Sequence, residues 1–199
     1  PYQSARRLSP AAKNAAQSNS SKTAIWLNAN EASGPGVYQI KGDSINRYPD
    51  FQPEELLQAY SEYSQQPKSN ILATRGADEG IELLIRAFCR AYRDNILICP
   101  PTYGMYAISA ENHGAGIIKV PLISNSKQNA ILDISELTKQ AEQANENKIK
   151  VVFLCSPGNP TGNLLPQEQL KKTIELFKDK AIVVVDEAYI EFYSDKTVA

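Results

Sequence analysis

Two apolar runs in the second half of the chain each stop at a polar cluster: KVVFLCSPGNPTG from Lys150 and AIVVVDEAYIEF from Ala181. Ala181 to Val185 is uninterrupted, and its last four residues are β-branched, which suits a strand buried on both faces of a parallel sheet better than an alternating, half-exposed one. Asp186 then closes that strand. Between the runs, Pro166 opens a helix to about Lys178 whose buried stripe is Leu170, Ile174 and Phe177. The same alternation recurs upstream. Pro53 starts a helix to Ser64 with Leu56, Leu57, Tyr60 and Tyr63 on one face, and Ile81, Leu84, Ile85 and Phe88 mark a helix opening at Ala77 or Asp78. Ile96 to Cys99 reads as a strand stopped by Pro100 and Pro101, followed by a helix from about Gly104 to His113 that Gly114 terminates. Ala115 to Leu122 supplies a further strand, a polar loop runs to Asn129, and Ser135 begins a helix to about Asn145. Strands alternating with helices predict an α/β fold with a mostly parallel sheet and helices on both faces.

In such sheets the ligand crevice lies outside the carboxyl ends of the strands, so Asp186 and the Asn159–Gly162 turn are expected to meet at one site. A carboxylate there needs a cation or donors. Pyridoxal 5'-phosphate meets that need, because a carboxylate against its ring nitrogen keeps the nitrogen protonated. Asn159 and Tyr189 are candidates to donate to its phenolate oxygen. Gly76 stands just before a helix, so the N–H groups of Ala77 and Asp78 form a candidate phosphate cradle. Tyr103, after another strand, is placed to stack on the ring. Each residue also has an ordinary reading. Asp186 and Glu187 would end a strand and cap the next turn, Asp78 would cap its helix, and Tyr103 would be a core aromatic.

The apolar run ending in Asp-Glu also suits a P-loop ATPase, but no Gly-Lys pair occurs in the chain. Gly34-Pro35-Gly36 and Gly114-Ala115-Gly116 lack the setting of a dinucleotide site, and there is no G-x-S-x-G elbow for a hydrolase. His113, the single histidine, sits beside a C-capping glycine and reads as a favourable charge at a helix end.

Composition changes the picture little. The 199 residues are 42% hydrophobic and 22% charged with a net charge of -1, ordinary for a soluble domain and unlike a nucleic-acid surface. No apolar run approaches the ~20 residues that span a bilayer, and the first residues do not read as a charged-then-apolar leader, so a cytoplasmic location is expected. Cys89, Cys99 and Cys155 are widely spaced and read as small buried hydrophobes. Residues 9 to 23 are polar and small without periodicity and read as a linker, so the organisation expected is an arm and linker over 1–45 and a partial cofactor-binding domain over 46–199. A chain that starts at Pro1 and stops at Ala199 in a polar segment reads as a fragment.

The segment SPGNPTG followed by a strand ending DEAY resembles the fold-type I pyridoxal phosphate aminotransferases, and RGADEGIELLIRAFC and CPPTYGMY are similar to the histidinol-phosphate branch. Gly158 departs from the family, where an asparagine is common, and so does the long linker. The resemblance implies a cytoplasmic homodimer in which Tyr48, in the sequence Asn46-Arg47-Tyr48-Pro49, reaches the neighbouring subunit's cofactor phosphate; on the residues alone it is a tyrosine in a turn. It places the Asn28-Ala29-Asn30-Glu31 turn near the substrate, where a solvated turn closing the short run Ile25 to Leu27 is the plain alternative. The implied reaction moves the amino group of L-histidinol phosphate to 2-oxoglutarate, giving imidazole-acetol phosphate and glutamate in histidine biosynthesis. The Schiff-base lysine of the family would lie beyond Ala199, since Lys196 is too close to Tyr189 and lacks the family's preceding serine; no residue of this chain is then a catalytic one, and the chain alone is expected to be inactive. Two later strands of the family's sheet would lie between the strand ending at Asp186 and the segment before Gly76, so the core should show a gap there. A related amino-acid phosphate decarboxylase and a non-catalytic domain of the same fold are the alternatives.

Overall fold

The computed structural model describes residues 29, 30, 36, 39, 42, 45–124 and 129–193. The chain divides into two compact units, Pro1–Phe51 and Gln52–Ala199. In the first, Ala29 and Asn30 form a turn with positive φ (61° and 52°), and Tyr48 is fully exposed. Asn28, Glu31, Ile25 to Leu27, the linker over 9–23 and Lys196 lie outside the described residues.

Among the described residues the second unit carries five α-helices, α1 (Glu54–Ser64), α2 (Ala77–Phe88), α3 (Met105–His113), α4 (Ile134–Glu142) and α5 (Gln167–Phe177), and six strands, β1 (Asn95–Ile98), β2 (Gly116–Lys119), β3 (Ile123–Ser124), β4 (Ala130–Ile131), β5 (Ile149–Cys155) and β6 (Ile182–Asp186). Four strands form one all-parallel sheet in the order β2-β1-β5-β6. Successive side chains of a strand point to opposite faces, and β5 divides accordingly. Val151, Phe153 and Cys155 pack with Ile81 and Ile85 of α2 and Tyr106 and Ala110 of α3. Val152 and Leu154 pack with Leu137 and Ala141 of α4 and Leu170 and Phe177 of α5. Helices therefore cover both faces, as the alternation of elements predicts.

Local chemistry sets the helix ends. Asp133 caps α4, its carboxylate accepting from the Glu136 N–H at 2.9 Å. Gly114 closes α3 at φ 84°, a left-handed conformation open to glycine at no steric cost. His113 donates from Nε2 to the Cys89 carbonyl at 2.7 Å, and all three cysteines are buried and unpaired.

Five expectations need correction. Ile174 is 43% exposed, and the side chain that joins Leu170 and Phe177 in the core is Thr173, whose hydroxyl is satisfied by the Gln169 carbonyl within the helix. Phe88, at the last turn of α2, is exposed, and of the α1 stripe only Leu57 is buried. The segment after β2 forms a short antiparallel ribbon, β3 with β4. Finally the residues of β6 are half-buried or exposed in spite of their apolar run; its pairing with β5 alone among the described residues leaves one edge open on the side where the gap is expected.

Candidate cofactor site

β1, β5 and β6 all point their carboxyl ends to one edge of the sheet, where the residues singled out in the sequence collect. At the start of α2, Gly76 adopts φ 99° and ψ 172°, a region essentially restricted to glycine. No side chain caps this helix. Glu79 folds back instead, accepting from the Arg75 N–H at 2.6 Å and from its guanidinium at 3.0 and 2.7 Å, which holds its carboxyl below the usual range. The N–H groups of Ala77 and Asp78 are thus left without a cap, at the positive end of a helix dipole. A Cβ built on Gly76 meets nothing within 4 Å, so the approach to them is open. Asp78 is not the cap either. Its Oδ1 accepts from the Tyr103 hydroxyl at 3.0 Å.

From Tyr103 a continuous line of contacts leads to Asp186. The rings of Tyr103 and Tyr106 meet edge to face, 5.7 Å between centroids and 83° between planes. Tyr106 is fully buried and stacks on Phe153 at 4.7 Å and 9°. Its hydroxyl donates to Asp186 Oδ2 at 2.6 Å, and the Ala188 N–H donates to Oδ1 at 3.1 Å. Burial, reinforced by the Asp186 charge, pushes the Tyr106 phenol far above its usual range, so it remains a donor. Each carboxylate oxygen has a second lone pair, and Asp186 can therefore accept a further proton donor.

The turn that carries Asn159 is closed on itself and tied to β6. The Gly158 N–H donates to Asn163 O at 3.0 Å, Gly162 N–H to Gly158 O at 2.8 Å, and Ser156 N–H to Asp186 O at 2.9 Å. Tyr193, three residues past Ile190, donates its hydroxyl to Gly162 O at 2.8 Å. Asn159 and Tyr189 are both half-buried at the ends of adjacent strands.

Beside this line a cleft of about 900 Å³ opens between β6 and α2. Ala77, Tyr106, Phe153, Val184 and Asp186 line it, with Tyr60 and Tyr63 of α1 on its rim. Glu187 and Glu191 add negative charge, and no lysine among the described residues lines it. Amide donors at one end and an anchored carboxylate at the other fit a phosphate-bearing, cationic ring. Asp78, Tyr103, Asn159 and Tyr189 stand outside the cleft lining, and Tyr48 belongs to the other unit.

The sequence model of the aminotransferase class I and II family matches residues 6–199. The chain belongs to this family. A histidinol-phosphate aminotransferase of Colwellia psychrerythraea is 64% identical over 192 residues, covering 96% of this chain and 50% of that protein. One from Pseudoalteromonas atlantica is 47% identical over 199 residues, covering 100% of this chain and 49% of that protein. The chain spans about half the length of the curated relatives it matches. Among solved structures, the histidinol-phosphate aminotransferase of Clostridium acetobutylicum superimposes with a TM-score of 0.63 at 28% identity, over 77% of this chain and 42% of that one. Cystalysin from Treponema denticola, which contains pyridoxal 5'-phosphate, gives 0.62 at 20% identity over 70% of this chain and 36% of its own, a likeness of fold. The α/β architecture with a parallel sheet is therefore the one shared by the pyridoxal phosphate enzymes of fold type I.

Two side chains that make contacts at the site escape the sequence reading. Tyr106 lies in the CPPTYGMY segment, three residues after Tyr103, and that i, i+3 spacing on a helix is the one available signal. Tyr193 carries no signal at all, because its partner lies 31 residues away.

Proposed function

We propose that the complete protein is a pyridoxal phosphate-dependent aminotransferase that transfers the amino group of L-histidinol phosphate to 2-oxoglutarate. The observation that carries this reading is the unbroken line from the uncapped start of α2 through Tyr103 and Tyr106 to Asp186. The relatives' names support the substrate. Pyridoxal phosphate, when bound, supplies an electron sink for the substrate carbon that loses its proton.

The chain's own residues do the rest. The Ala77 and Asp78 N–H groups bind the phosphate, Tyr103 covers a ring face, and the Asp186 carboxylate keeps a proton on the ring nitrogen. Asn159 and Tyr189 donate to the phenolic oxygen and hold its charge. The lysine that moves the substrate proton belongs to a part of the protein outside residues 1–199. Two further strands of that part would lie along β6 and close the cleft, and residues 1–199 alone are inactive. The protein is a cytoplasmic homodimer on this reading, with Tyr48 reaching the partner subunit's phosphate site. No helix among the described residues is long and apolar enough to cross a membrane.

The test uses the complete protein. Pyridoxal phosphate should produce a visible absorbance band, and L-histidinol phosphate with 2-oxoglutarate should yield glutamate. Carbon dioxide release without a keto product would move the reaction to the decarboxylases, and failure to bind the cofactor would end the proposal.

A further inference from the structure

We infer that Tyr106 is a positioning residue whose hydroxyl fixes the Asp186 carboxylate for a ring nitrogen; this rests on the function proposed above. Tyr106 comes from α3 and Asp186 from the end of β6, 80 residues later, and the 2.6 Å hydrogen bond joins them across the wall of the cleft that both line. A phenylalanine would fill the same volume, stack on Phe153 and meet the edge of Tyr103. The hydroxyl is what packing does not require.

Its own geometry is over-determined. Phe153 lies parallel beneath the ring, Tyr103 stands perpendicular to it, and no part of the side chain reaches solvent. The oxygen is therefore held in place before any ligand arrives. The Ala188 N–H holds the other oxygen of Asp186 at 3.1 Å. A short carboxylate on the last residue of a half-exposed strand would otherwise rotate freely about two bonds. With both oxygens held by protein groups, the fold itself sets the carboxylate plane, and binding does not have to order it. Because burial keeps the phenol protonated, the donor persists wherever the carboxylate is charged.

The experiment compares the complete wild-type protein with Tyr106→Phe, Asp186→Asn and the double variant. Each is stripped of cofactor and titrated with pyridoxal 5'-phosphate by absorbance. Tyr106→Phe should weaken binding about tenfold, the effect of one hydrogen bond to a charged group. In the Asp186→Asn background the same change should add less than about twofold, because its effect passes through that side chain. Visible circular dichroism of the bound cofactor gives a second reading that a purely structural role would not move; the ellipticity of the Tyr106→Phe holoenzyme should fall while the thermal midpoint of its apo-protein stays at the wild-type value. It decides the matter alone if Asp186→Asn abolishes binding. Wild-type affinity and ellipticity in Tyr106→Phe, or an undiminished effect in the Asp186→Asn background, would overturn the inference and leave the proposed function standing. A wild-type protein that binds no pyridoxal phosphate would overturn both.

Discussion

Phe153 offers a direct measure of how far the site depends on the sheet beneath it. It lies at the centre of the sheet, paired in register with Ile98 of β1 and Val184 of β6, fully buried and stacked under Tyr106. Truncating a buried phenylalanine to alanine costs about 3–5 kcal/mol, the loss rising with the void left behind. Here one side of that void opens to the cleft, where water can enter, so Phe153→Ala should fall near the lower end, about 3 kcal/mol. Phe153→Leu keeps most of the volume. It loses the aromatic pair, about 0.5–1.5 kcal/mol, and adds a modest shape mismatch, so about 1–2 kcal/mol is expected. Urea unfolding of the cofactor-free complete protein, followed by far-UV circular dichroism, measures both as shifts of the midpoint at unchanged slope. An alanine variant within about 1 kcal/mol of wild type would mean that Phe153 does not support the sheet as argued. Equal losses for alanine and leucine would mean that the stack, and not the filled volume, carries the energy.

Asp94 makes a prediction about pH. It is buried at the turn after α2 and accepts from the Arg90 N–H, Nε and Nη2 at 2.8, 2.8 and 2.9 Å, and the Arg90 side chain holds its carboxyl well below the usual range. A carboxyl depressed by folding contributes stability above its unfolded value of about 4 and loses it as pH falls through the folded one. Asp94→Asn should therefore lower the urea midpoint by a constant amount from about pH 5 to 8 and by less in acid; a gap that widens on acidification would refute the assignment. Gly76→Ala meets no neighbour, so its whole effect is backbone strain of about 1–3 kcal/mol, read by the same unfolding curve, and a variant as stable as wild type would show that the turn relaxes without loss.

Most of the second unit was legible because its punctuation is chemical. Pro53, Gly114 and Pro166 mark helix ends through the proline ring and the left-handed glycine, and each structural boundary lies within a residue or two of the expected one. The β3–β4 ribbon was not, since two residues per strand leave no period to detect. Asp78 shows a different limit. Its position in the first turn suits a cap, but its carboxylate is taken by Tyr103, 25 residues on. Local sequence describes what a side chain offers, and the fold decides which partner accepts it. The same holds for Ile174 and Phe88. A stripe at helical spacing identifies an apolar face, yet burial also needs a second element opposite, which no periodicity records.

β6 brings these limits to bear on the site itself. Its run of isoleucine and valines has the composition of a strand with neighbours on both sides, yet among the described residues only β5 pairs with it, and Ile182 is 40% exposed. Edge strands that must stay in water are ordinarily interrupted by charge or proline, and β6 has neither before Asp186. Its side chains are thus suited to an environment drier than the one the described residues provide. Asp186 ends this strand, and the strength of any ion pair it makes depends on the water around it. The hydrogen bonds from Tyr106 and Ala188 fix its direction in either setting, whereas a covered β6 edge would supply the low dielectric. On the proposed function, direction and dielectric come from different parts of the molecule, and Tyr106 and Ala188 supply the first of them.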